Sequence, residues 1–187
     1  MFVKSRWVLV SWFVLSGVMA AHAADDPPKL PTVPLPADEA LFLKTIEEAR
    51  AAYDAAPNEM ARGATRPARM RRLCAIQPSP KVRAWVGTVE MLSSTSKGNG
   101  VLAVRLSEHV LLHTWNIETG DVGTLIQVGG KVFEAVSAMK AGAVVSVSGR
   151  LIQDDEDCFR ETSVFVYGGM HSPDFLFRFD DVKLVGQ

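Results

Sequence analysis

Val82-Arg83-Ala84-Trp85-Val86-Gly87-Thr88-Val89-Glu90-Met91-Leu92 is the stretch on which the fold turns. Valine, tryptophan and threonine suit a pleated, half-buried surface, so the run predicts a strand. It is long for a strand, whose common length is about 5–6 residues, and Gly87 stands in its middle. Such a strand can join both halves of a closed sheet if it bends sharply, and an interior glycine permits the bend.

Toward the C-terminus, the polar, Gly-rich Ser93–Gly100 reads as a loop. Val101–Leu106 and Val110–Trp115 read as two more strands around Ser107-Glu108-His109. Gly129–Lys140 reads as a helix, with Val132, Phe133, Val136 and Met139 at helical spacing and Ala141-Gly142 as its stop. Ala143–Ile152 is strongly β, with Gly149 as a second bend point. Gln153–Asp157 is an acidic turn, Phe159–Tyr167 a strand, Gly168–Asp174 a loop and Phe175–Val185 the last strand. Three strands, a helix, then further strands is the order of an OB-fold, a small Greek-key barrel. The expected class is mainly β with helices: a five- to six-stranded OB-fold-like barrel over residues 77–187, with an N-terminal helical extension over 37–76. A β-sandwich competes, but needs no helix at that position.

Toward the N-terminus, Asp38–Ala56 predicts the best helix in the chain. Asp38 can cap it, Glu39 suits the positive end, and Phe42, Ile46, Ala49 and Tyr53 form one apolar stripe. Pro57-Asn58 ends it. Arg62, Arg66, Arg69, Arg71 and Arg72 follow, and Pro67 can open a short helix with Met70, Leu73 and Cys74 on its inner side. The arginines read as a solvated face paired with Glu39, Glu47, Glu48, Asp54 and Glu59, or as an anion or nucleic-acid patch.

Residues 1–23 read as a cleaved secretory signal peptide. Lys4 and Arg6 are its positive start, Trp7 through Met19 its apolar run, and Ala21-His22-Ala23 the small-x-small site cut after Ala23. The apolar run is shorter than the ~20 residues of a bilayer-spanning helix, and no later stretch predicts a transmembrane segment. Ala24–Pro36 is a Pro-rich linker holding Pro27, Pro28, Pro31, Pro34 and Pro36. The expected location is the periplasm. The mature chain loses Lys4 and Arg6 and is mildly acidic, which counts against a general nucleic-acid binder.

Cys74 and Cys158 are the only cysteines. In an oxidising compartment the pair reads first as a disulfide, with two buried thiols as the alternative.

No GxSxG, phosphate loop or HExxH occurs. His109 and His113 stand four apart, so on a strand they share a face, but no third metal ligand appears at motif spacing. Asp154, Asp155, Glu156 and Asp157 lack the alternation and glycine of a calcium loop and read as a solvated hairpin tip. The aromatics Trp85, Trp115, Phe165, Tyr167, Phe175, Phe177 and Phe179 fall on predicted strands, where core is the default. Trp115, beside Asn116 at a strand end, is the one to suspect of exposure. Arg150 and Arg178 lie on strands and are either paired or lining a groove.

Trp85-Val86-Gly87-Thr88-Val89, Gly98-Asn99-Gly100-Val101-Leu102 and Thr114-Trp115-Asn116 also carry a resemblance. So do Thr124-Leu125-Ile126, Ser148-Gly149-Arg150, Glu161-Thr162-Ser163 and Phe175-Leu176-Phe177-Arg178-Phe179. With the Asn58-Glu59 and arginine-rich lead-in to Cys74, the chain resembles a group of small exported bacterial proteins of uncharacterised function. These look like OB-folds described as tRNA-anticodon-binding-like. The resemblance implies a fold and no catalytic residue.

The expectation is a non-enzymatic binding module without cofactor or metal, docking an envelope protein or glycan through Trp85, Trp115, Asn116, Arg150 and Arg178. A single-stranded nucleic-acid binder is the alternative, and a metal-dependent enzyme using His109 and His113 the third reading.

Overall fold

β1, Lys81–Ser94, pairs along its first half with β4, Val144–Leu151, and along its second half with β2, Gly100–Ser107. One strand thus serves two neighbours, as its length requires. The architecture is seen in a computed structural model describing residues 33–155, 158–163 and 165–185. The expected signal peptide and most of the linker lie outside these residues. No helix among the described residues is long and apolar enough to cross a membrane.

β3, Val110–His113, pairs antiparallel with β2 and parallel with the last strand, β7, Asp174–Leu184. β7 then pairs antiparallel with β4, closing a barrel of order β1-β2-β3-β7-β4. A short helix, α3, Lys131–Ser137, lies between β3 and β4 in sequence. This is the expected OB-like barrel.

Both proposed bend points are places of close backbone approach. A Cβ on Gly87 would fall 2.6 Å from Val104 Cγ1 and 2.7 Å from the Arg105 carbonyl oxygen. One on Gly149 would fall 2.1 Å from the Arg178 carbonyl oxygen. Neither strand could carry a side chain there and keep its neighbour.

Two helices precede the barrel: α1, Ala37–Asp54, and α2, Glu59–Ile76. The apolar stripe of α1 is buried as its spacing predicts. Phe42 lies 5.0 Å from the Trp85 ring and 5.3 Å from that of Phe175. Phe42, Ile46, Met70 and Leu73 share one apolar cluster with the barrel interior, so extension and barrel have a common core. From the other side α3 adds Val136, with Val132, Phe133 and Met139 packed against the same cluster.

Two expected details of the helices are corrected. Asp38 makes no helix-capping bond; its carboxylate accepts the Trp85 indole N–H at 3.0 Å. Pro67 does not open a helix: α2 starts at Glu59, capped by the Asn58 side chain on the Ala61 N–H at 3.0 Å, and Pro67 lies inside it.

The expected strand Phe159–Tyr167 is also corrected. Only β6, Cys158–Phe159, is extended, paired with β5, Gln153–Asp154, in a separate two-stranded sheet. Glu161 makes one bridge to Phe175. The chain then enters α4, Val166–His171, covering part of the expected Gly168–Asp174 loop. The physical reason is a partner on α2, described next.

Candidate functional site

The segment between β4 and β7 is where OB-folds carry a ligand-binding loop. Here it holds β5, β6 and α4, and Cys74 and Arg69 fasten it to α2. Cys74 of α2 is bonded to Cys158 of β6, with Cα atoms 5.8 Å apart. Arg69 of α2 has a fully buried side chain that donates to the Glu161 carboxylate, buried as well. The same guanidinium donates to the Gly169 carbonyl oxygen. A buried guanidinium needs such partners, because leaving either charge of a buried pair alone costs about 3–5 kcal/mol. A local strand preference is worth less, so the turn of helix that brings the Gly169 carbonyl to Arg69 prevails over it.

On this fixed backbone Phe165, Val166 and Tyr167 project outward, 78%, 42% and 65% exposed. The Tyr167 ring stacks on His171 with centroids 4.1 Å apart. Both rings meet Tyr53 of α1 edge-on, at 6.4 and 5.4 Å. His171 also contacts Asp54 through Nε2 at 2.8 Å, and the Arg62 guanidinium lies 5.9 Å from the Tyr53 ring centroid. The result is an aromatic tip of fixed geometry with an Arg at its edge. Such a surface can bury apolar area against a partner at little ordering cost.

The residues expected to bind fall in different places. Trp85 is fully buried in the core and so is not part of a binding surface. Trp115 lies just past β3 and is half-buried. Its indole N–H donates to the Thr119 carbonyl at 2.9 Å and its backbone N–H to Thr124 Oγ1 at 2.8 Å, so it braces its own loop. Asn116 is exposed. Arg150 and Arg178 are exposed and direct cross-strand partners on β4 and β7. Both approach Asp180, at 3.4 and 3.5 Å. Arg150 and Arg178 thus stand together on the outside of β4 and β7, with Trp85 inside the barrel.

His109 lies in the β2–β3 turn, 3.7 Å from Glu108, and does not share a strand face with His113. His113 is half-buried, with Nδ1 2.8 Å from the Thr114 carbonyl and Nε2 3.2 Å from Thr162 Oγ1. Burial pushes its pKa down. Among the described residues no three His, Cys, Asp or Glu side chains gather as a metal site. Within the arginine run, Arg62 pairs with Glu59 and Arg72 with Glu48, as a solvated face would. Arg69 is the exception, and its partner lies 92 residues away.

Phe165 and Tyr167 are legible as aromatics, but both suit a strand, which hides their exposure. Gly168-Gly169 after them was the available sign that the strand ends.

No family model matches the chain, and no curated protein or solved structure matches it.

Proposed function

We propose that the protein is an exported, non-enzymatic binding module of the periplasm that docks a protein or glycan of the cell envelope. One observation carries this reading: Phe165, Val166 and Tyr167 stand exposed on an insert held by a disulfide and a buried ion pair. Soluble proteins seldom spend such fastening on an apolar projection that meets nothing. Aromatic residues with an Arg close by match the composition of protein interface cores, so a protein partner is the first expectation. The disulfide fits an oxidising compartment.

The test is a crosslinking pull-down from the native envelope with tagged mature protein. Phe165→Ala/Tyr167→Ala should keep its thermal midpoint within a few degrees and lose the captured partner. Equal capture by that variant and the parent would sink the reading.

The nucleic-acid alternative draws on the barrel class. It is weakened because Arg62, Arg69 and Arg72 have carboxylate partners within the chain. It requires oligonucleotide affinity that falls steeply with salt.

A further inference from the structure

Three cations stand side by side across three strands of the barrel. Lys81 of β1 is the direct partner of Arg150 of β4, and Arg150 is the direct partner of Arg178 of β7. All three are exposed. Direct partners of an antiparallel pair share a face, with Cβ atoms about 4.5–5.5 Å apart, and like charges so placed destabilise the sheet. One carboxylate, Asp180, offsets both arginines, at 3.4 and 3.5 Å. Lys81 has no ion pair there among the described residues. The row therefore carries an excess of about two positive charges.

The backbone around the row is irregular on both sides. On β1 the register shifts between Val82 and Trp85, where Ala84 has φ of 57° and donates its N–H to Ser148 Oγ at 3.0 Å. On β7 the register skips Asp180, since Ser148 opposes Asp181 and Gly149 opposes Phe179. Bulges re-aim side chains and gather near working surfaces. The β7 bulge turns Asp180 between two arginines that would otherwise face each other bare. Arg178 also lines, with Lys131, Phe133, Leu125 and Asp180, a groove of about 450 Å³. That volume is within the range of small-ligand sites.

We propose that Lys81, Arg150 and Arg178 form a binding site for a phosphate monoester, with Asp180 as an internal stand-in that the phosphate displaces. A phosphate monoester carries about −1.5 to −2 charges at neutral pH, which balances the excess of the row. Its oxygens match the planar donors of paired arginines. The rest of the ligand lies in the groove beside Arg178. Phe177 and Phe179, the nearest aromatics on β7, are buried in the core, and the groove offers the half-buried Phe133 in place of the succession of exposed rings on which the bases of a strand stack. A phosphate monoester is therefore favoured over a nucleic-acid strand. This site is distinct from the aromatic tip and does not depend on the docking function.

The test is calorimetric titration of the full mature protein with inorganic phosphate. Vesicles of phosphatidylcholine with and without phosphatidic acid are a second arm. Arg150→Gln and Arg178→Gln should each weaken binding on the order of tenfold, the loss of one charge-assisted hydrogen bond. Asp180→Asn should tighten it, because the internal competitor is gone. That sign separates the proposal from a structural pairing, under which Asp180→Asn would lower the thermal midpoint and leave phosphate affinity unchanged. Binding of phosphate with this pattern supports a soluble phosphate monoester. Binding confined to phosphatidic acid vesicles with the same pattern supports a lipid headgroup. The proposal is overturned if neither probe binds, if the arginine variants bind as the parent does, or if a single-stranded oligonucleotide binds more tightly than either probe.

Discussion

Glu39 is buried without exposure in the first turn of α1. One carboxyl oxygen accepts the Val86 N–H of β1 at 2.8 Å; the other, Oε1, has no hydrogen-bond partner among the described residues. Burial pushes its pKa from 4.5 up to about 8, with the Val86 hydrogen bond pulling the other way and Asp38 adding to the rise. A carboxyl whose folded pKa exceeds its unfolded pKa binds more protons when folded. Its contribution to stability is therefore complete below about pH 4.5 and is lost as pH rises through about 8. Denaturant midpoints should fall over that window, and Glu39→Gln, which keeps an acceptor for Val86, should flatten the fall. An unchanged slope in the variant would show that another group governs it. The sequence placed Glu39 at a helix start, where a charge is welcome. It gave no sign that the side chain would cross to a strand 47 residues on, because such a contact depends on how helix and barrel meet.

Among elements, those with a strong local pattern were legible. The long β1 with Gly87, the amphipathic α1 and the helix between β3 and β4 each follow from spacing or a breaker residue, and together they determine the barrel. α4 was not legible. Val166 and Tyr167 suit a strand and Gly168-Gly169 a loop, and what draws them into one helical turn is Arg69 on α2, paired with Glu161 and the Gly169 carbonyl. The docking tip was hidden with it, since exposure of Phe165 and Tyr167 follows from the helix. Arg69→Met should take the guanidinium away from the buried Glu161 carboxylate and cost about 3–5 kcal/mol, read as a lower urea midpoint. Replacing both partners, Arg69→Met with Glu161→Gln, should recover part of it. A loss near zero in the single variant would mean that the buried ion pair does not hold the insert.

For the whole molecule, the expected boundary near residue 77 separates elements and not cores. Phe42, Ile46, Met70 and Leu73 complete the cluster that Trp85, Phe175 and Phe177 begin. Composition could show an apolar helix face but not the surface it covers. The Cys74–Cys158 bond ties the two parts across 84 residues of sequence. In the chain-entropy picture a loop of that size stabilises by roughly 4 kcal/mol. Removal of both cysteines, Cys74→Ala with Cys158→Ala, should lower the thermal midpoint, and an unchanged midpoint would contradict it.

The shared core also sets a schedule for the chain. Synthesis runs from the N-terminus, so α1 and α2 are made long before the strand that brings Phe175 to Phe42. Through that interval Phe42 can meet Trp85 of β1 but not Phe175, and until Cys158 is made Cys74 has no cysteine to meet. The barrel can close only when β7 arrives, since that last strand alone joins β3 to β4.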